Sequence, residues 1–199
     1  MNKAGVRDYE KFCKEALSIT DKPISFEVFA DDFDEMKRQA MIISSWGKNV
    51  YVKIPITNTK GESSCDLIEL LLNDGIKVNV TAITTPNQVM DIFIGNNETP
   101  VIFSFFAGRV ADTGITPVEL VKEIIGRYAP NHEFIELLWA SPREVLNIYQ
   151  AEEAGADIIT CTPELIKKYE AMKGKDLNEL SLDTVKMFYE DGKAAVYEL

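Results

Sequence analysis

The run Val50-Tyr51-Val52-Lys53-Ile54-Pro55-Ile56-Thr57 decides the fold. It is almost wholly apolar and rich in β-branched residues, the profile of a strand covered on both faces. Lys53 interrupts it. Alternate side chains of a strand point to opposite faces, so Val50, Val52 and Ile54 share one face and Tyr51, Lys53 and Pro55 the other. The first face is expected to pack on helices. The second turns the lysine inward near the C-terminal end of the strand, where α/β folds build their sites.

Similar runs lie on either side: Pro23–Ala30, Val78–Ile83, Val101–Phe106, Phe134–Ala140 and Asp157–Cys161. Segments of helical periodicity separate them, which predicts parallel βα units. Thr85-Pro86, Thr116-Pro117, Ser141-Pro142 and Thr162-Pro163 each place a hydroxyl N-cap before a first-turn proline, and Asp32-x-x-Glu35 resembles a capping box. Gly75 and Gly155 read as C-terminal stops. Asp8–Ile19 and Ser181–Ala194 read as the first and last helices. No linker or low-complexity segment interrupts residues 1–199, so one domain is expected. Periodicity leaves two architectures open, since an open doubly wound sheet is satisfied by the six visible strands while a closed barrel needs eight.

Composition narrows the chemistry. The chain has 199 residues and a formal net charge of -11, which argues against nucleic acid or an anionic membrane as partner. No stretch approaches the roughly 20 apolar residues of a membrane span, and the N-terminus has no apolar signal core. Cys13, Cys65 and Cys161 are odd in number and far apart, which suits a cytoplasmic protein. His132 is the only histidine and reads as a solvated connector residue, so one chain cannot build a metal site from several imidazoles. No GxGxxG or GxxxxGK[ST] occurs. Chemistry is left to Lys, carboxylates, hydroxyls and Arg.

Those groups recur inside the strands: Glu27, Lys53, Asn79, Thr81, Ser104 and, at a strand end, Ser141. A lysine buried in a strand loses hydration, which favours the neutral amine. A neutral amine attacks a carbonyl to form an imine, an electron sink for carbon–carbon cleavage. The alternative is an edge-strand lysine paired structurally with Glu27. Arg109 follows one strand within Phe106-Ala107-Gly108-Arg109, and Ser141-Pro142-Arg143 follows the next and is expected to open a helix. Two arginines and a hydroxyl after consecutive strands predict a shared anion site, against the alternative of separate surface ion pairs.

Taken together, FEVFADDFDEM, NVYVKIPITNTKG, NVTAI, FAGRVADTG, LLWASPREVLNIYQAEEAGADIIT and LDTVKMFYEDG resemble the small transaldolase group of the class I aldolase barrels, in order and over essentially the whole chain. The resemblance implies a TIM (β/α)8 barrel, no cofactor and no metal. It implies Schiff-base transfer of a dihydroxyacetone unit between sugar phosphates in the pentose phosphate pathway: sedoheptulose 7-phosphate or fructose 6-phosphate as donor, glyceraldehyde 3-phosphate or erythrose 4-phosphate as acceptor. Carried over by position, Lys53 matches the Schiff-base lysine and Glu27 the carboxylate that positions the catalytic water. The sister fructose-6-phosphate aldolases have glutamine at that place. Thr81 matches a hydroxyl that helps hold the water. Asn79 and Ser104 match substrate contacts, Phe106 lines the pocket, and Arg109, Ser141 and Arg143 match the phosphate-binding group. A homo-oligomer, pentameric or decameric, is also implied, with the last helix reaching a neighbour through Phe188 and Tyr189.

The chain departs from the family at its start. Members open with a strand carrying Leu-Asp-Thr-Ala and a second ending in Thr-Thr-Asn-Pro, both preceding the stretch that matches Asn2–Val6. The expected fold is therefore an incomplete barrel, N-terminally truncated to about six strands with helices, through a start assigned too far downstream or a real truncation. The first-strand aspartate is the family's main proton-transfer group, and general acid–base catalysis contributes about 10²–10⁴-fold. A free-dihydroxyacetone-releasing lyase and a catalytically impaired sugar-phosphate-binding fragment are the alternatives.

Overall fold

The computed structural model describes residues 6–90, 92, 98–128 and 133–195. His132 lies outside them. The described chain forms two compact units, residues 1–160 and 161–199.

In the first unit, α1 (Tyr9–Ile19) precedes β1 (Ile24–Glu27), α2 (Phe33–Ser44), β2 (Val50–Pro55), α3 (Cys65–Asn73), β3 (Val78–Ile83), α4 (Asn87–Met90), β4 (Val101–Phe105), α5 (Ala107–Ala111), α6 (Pro117–Tyr128), β5 (Ile135–Trp139), α7 (Leu146–Ala154) and β6 (Ile158–Ile159). All six strands lie in one sheet, in sequential order β1-β2-β3-β4-β5-β6, and every pairing is parallel. Sequential parallel order with alternating helices is the arrangement of a (β/α)8 barrel, of which six strands are described here. It is not the doubly wound alternative, whose strand order reverses at a switch point. The second unit holds α8 (Pro163–Met172) and α9 (Leu177–Ala194).

The alternation read from Val50–Thr57 holds. Val50, Val52 and Ile54 belong to the large core with Val78, Val80, Phe103 and Leu137 of the neighbouring strands and Met36, Ala40, Ile68, Leu71, Val121 and Ile124 of the helices. Each such side chain contributes about 1.5–3 kcal/mol when fully buried. The opposite face carries a smaller cluster of Tyr51, Ile102, Leu138 and Ala140, with Phe106 and Ile158 packed against it.

Some helix starts follow their caps. Asp8, Asp32 and Thr162 accept from the backbone N–H of Lys11, Glu35 and Leu165. Gly155 takes a left-handed conformation (φ 79°) at the end of α7. Three expectations are corrected. Ser141-Pro142 opens no helix: Ser141 itself sits at φ 60°, and α7 begins only at Leu146. The Asn147 side chain accepts from the N–H of Arg143 and Glu144 instead, doing from inside the helix what the serine was expected to do from in front of it. Thr85 is likewise not the cap of α4, since Gln88 Oε1 accepts from the N–H of Thr84 and Thr85. The last helix starts at Leu177 rather than Ser181, because Asp176 accepts from Asn178 and Glu179 and caps it earlier.

Candidate active site

Parallel register builds the site. Glu27 stands opposite Lys53 and Lys53 opposite Asn79, so three polar residues from β1, β2 and β3 form one row. Neighbouring strands lie about 4.8 Å apart, which brings these side chains within reach of one another. Two residues further along β2, Pro55 stands opposite Thr81. Glu27 ends β1, while Lys53 is the fourth of six residues in β2 and Asn79 the second of six in β3, so the row reaches a strand end only at β1; it lies on the face away from the helices.

Burial grades across it. Asn79, Thr81 and Ser104 are 2%, 3% and 1% exposed, Lys53 is half-buried, and Glu27 is exposed. The gradient has a simple cause: among the described residues β1 is paired on one side only. Ser104 Oγ donates to Asn79 Oδ1 at 2.7 Å, and Asn79 Nδ2 donates to Ser25 Oγ at 2.9 Å. This ladder spans β4 to β1 beneath Lys53 and fixes the amide's orientation. Thr81 differs, because its hydroxyl is buried without a hydrogen-bond partner among the described residues. The register between β3 and β4 slips between Val80 and Ile83, and Ala82 takes φ 63°. The β-bulge falls next to Thr81, where such bulges re-aim side chains.

Two loops above the row are tied together. Asp31 accepts from the backbone N–H and the hydroxyl of Thr59, both at 2.7 Å, and these bonds hold its carboxyl below the usual carboxylate range. Buried Asn58 accepts from the N–H of Lys60 and Glu62 and organises the same loop.

The arginine pair lies over the ends of β4 and β5. Gly108 N–H donates to Ala140 O at 3.2 Å, and a Cβ on Gly108 would stand 1.6 Å from the Ser141 carbonyl oxygen. Only glycine permits that approach, which seats α5 against the Ser141 segment. Arg109 leaves α5 exposed and stacks over Phe106, its guanidinium 4.8 Å from the ring centre. It makes no ion pair among the described residues. Arg143 donates to Asp112 Oδ2 at 2.8 Å, joining the Ser141 segment to the end of α5. The structure thus places Arg109, Ser141 and Arg143 around one helix–strand junction, and Glu27, Lys53, Asn79 and Thr81 on adjacent strands.

Sequence reasoning missed Ser25, Asp112 and the bulge at Ala82. Ser25 was within reach, because it alternates with Glu27 onto the same face. Asp112 lies three residues after Arg109 but is recruited by a residue 31 positions away, for which sequence carries no signal.

The model of the transaldolase/fructose-6-phosphate aldolase family matches residues 9–198. The chain belongs to that family. It is 33% identical over 179 residues to a probable transaldolase of Brucella anthropi, covering 89% of this chain and 77% of the relative. It is 34% identical over 194 residues to one of Hyphomonas neptunium, covering 97% and 83%. It is 37% identical over 155 residues to one of a Chelativorans species, covering 77% and 68%. Membership agrees with the strand order. Among the described residues no helix is long and apolar enough to cross a membrane.

Proposed function

We propose that this protein is a transaldolase that carries its donor fragment as an imine on Lys53. The observation that carries the reading is the Glu27–Lys53–Asn79 row with the Thr81 hydroxyl, unpartnered among the described residues, beside it. The Lys53 amine adds to the C2 carbonyl of a ketose phosphate and loses water, forming the imine. The C3–C4 bond then breaks with its electron pair drawn into the iminium, and the aldose phosphate leaves. The enamine left on Lys53 attacks an acceptor aldehyde, and water releases the new ketose. Glu27 and Thr81 hold the water that enters and leaves. Asn79 and Ser104 contact the substrate hydroxyls, Phe106 walls the pocket, and Arg109, Ser141 and Arg143 take the phosphate. Arg109 suits that task because its charge has no carboxylate partner among the described residues.

The donors are fructose 6-phosphate and sedoheptulose 7-phosphate, and the acceptors erythrose 4-phosphate and glyceraldehyde 3-phosphate. The family also contains aldolases, and Glu27 favours transfer over release of free dihydroxyacetone. Incubation with fructose 6-phosphate and erythrose 4-phosphate separates the two. The proposal expects sedoheptulose 7-phosphate with little free dihydroxyacetone. Free dihydroxyacetone formed at the same rate with or without the acceptor would assign the lyase instead.

A further inference from the structure

Arg143 is held from two directions. Its backbone N–H donates to Asn147 Oδ1 at 2.7 Å, and the N–H of Glu144 donates to the same oxygen at 3.2 Å. Asn147 is buried, and its own amide donates to Gln150 Oε1 at 2.9 Å. That fixes the main chain but not the guanidinium, which ends a long, half-exposed side chain. Asp112 supplies the second hold, through the 2.8 Å bond from Arg143 Nη2 to its Oδ2. Asp112 is placed in turn by α5, whose end it caps, its N–H donating to Gly108 O at 3.1 Å. The glycine that lets α5 touch the Ser141 segment thus also sets the carboxylate.

The pair leaves the arginine usable. Elsewhere Arg38 spends both Nε and Nη2 on Glu35, at 2.8 and 2.6 Å, and its fork is closed. Arg143 spends Nη2 alone among the described residues, so Nε and Nη1 stay open to a second anion. Arg109, at the same junction, is steadied by the Phe106 ring rather than by a carboxylate. Two arginines and one aspartate keep an excess of positive charge there. An exposed ion pair adds little to stability, so what this one changes is where the guanidinium points. We propose that Asp112 is a positioning residue that holds the Arg143 guanidinium ready for the substrate's phosphate, an inference that rests on the reading of Arg143 given under the proposed function. A free arginine side chain must be ordered when the phosphate binds, whereas a tethered one has lost that freedom beforehand.

Inorganic phosphate titrated into the whole chain and followed by NMR tests this without turnover. Arg143→Ala is expected to weaken its binding, as the reading of that residue requires. Asp112→Ala is expected to raise the Kd about fivefold, the cost of ordering one arginine side chain on binding. In the Arg143→Ala background the same substitution is expected to weaken binding no further, because Asp112 acts through that guanidinium. In the transfer assay the same factor is expected in KM for fructose 6-phosphate, at constant kcat. Unchanged or tighter phosphate binding in Asp112→Ala, or an equal loss in both backgrounds, overturns the positioning role. A fall in kcat at unchanged KM overturns it too. If Arg143→Ala binds phosphate as the parent chain does, it is the reading of Arg143 that has failed.

Discussion

At the residue scale the strands carry more chemistry than a core requires. Asn79 and Ser104 are spent on each other and on Ser25, so their orientation is set before any ligand arrives. Among the described residues the Thr81 hydroxyl is not spent, and a buried hydroxyl without a partner costs about 1–3 kcal/mol. Thr81→Val is therefore expected to leave stability unchanged or raise it by about 1 kcal/mol, while turnover falls by about 10²-fold. Urea unfolding and the transfer assay together check this, and a loss of stability would show that the hydroxyl is structural. Tyr9 gives a second test. Burial raises its phenol from 10.0 to about 12, so the stability linked to its proton is complete below pH 10 and lost as pH rises through about 12. Chemical unfolding followed from pH 9 to 12 should show a steeper decline in the parent chain than in Tyr9→Phe. The placement of Glu27 and Lys53 on one face of the sheet was legible in the sequence because side chains alternate along a strand. The bond from Glu27 N–H to the Tyr9 hydroxyl was not, because it depends on how α1 docks onto a strand 18 residues away.

At the element scale the junction of β4, α5 and the Ser141 segment holds the arginines. The Gly108 position leaves no room for a methyl group, since the obstacle is backbone. Gly108→Ala is expected to cost about 3 kcal/mol, at the upper end of overpacking, and to weaken phosphate-bearing substrates more than their dephosphorylated forms. Thermal unfolding and KM values for the two substrate forms measure it. The strands β2 to β5 were readable because they are largely buried, which gives apolar runs bounded by polar loops. The start of α7 was not, because Ser141 adopts a left-handed conformation and Asn147 caps from within. The bulge at Ala82 was hidden for a related reason. Nothing in VNVTAI marks a register slip that only the neighbouring strand reveals.

At the scale of the whole molecule, the apolar residues left outside are concentrated on α9. Leu182, Val185, Phe188 and Tyr189 recur at helical spacing and are 52%, 58%, 65% and 61% exposed. We propose that this face meets a second copy of the chain. Sedimentation of the parent chain is expected to show an assembly, and Phe188→Glu with Tyr189→Glu a smaller species. A monomer in both would refute that assignment. The function itself stands on Lys53. Fructose 6-phosphate is added to the folded chain, borohydride reduces any imine, and peptide mapping locates the adduct. The account predicts a three-carbon dihydroxyacetone-derived unit on Lys53, absent from Lys53→Met. A folded chain carrying no adduct, or one that carries it on another lysine, would contradict it.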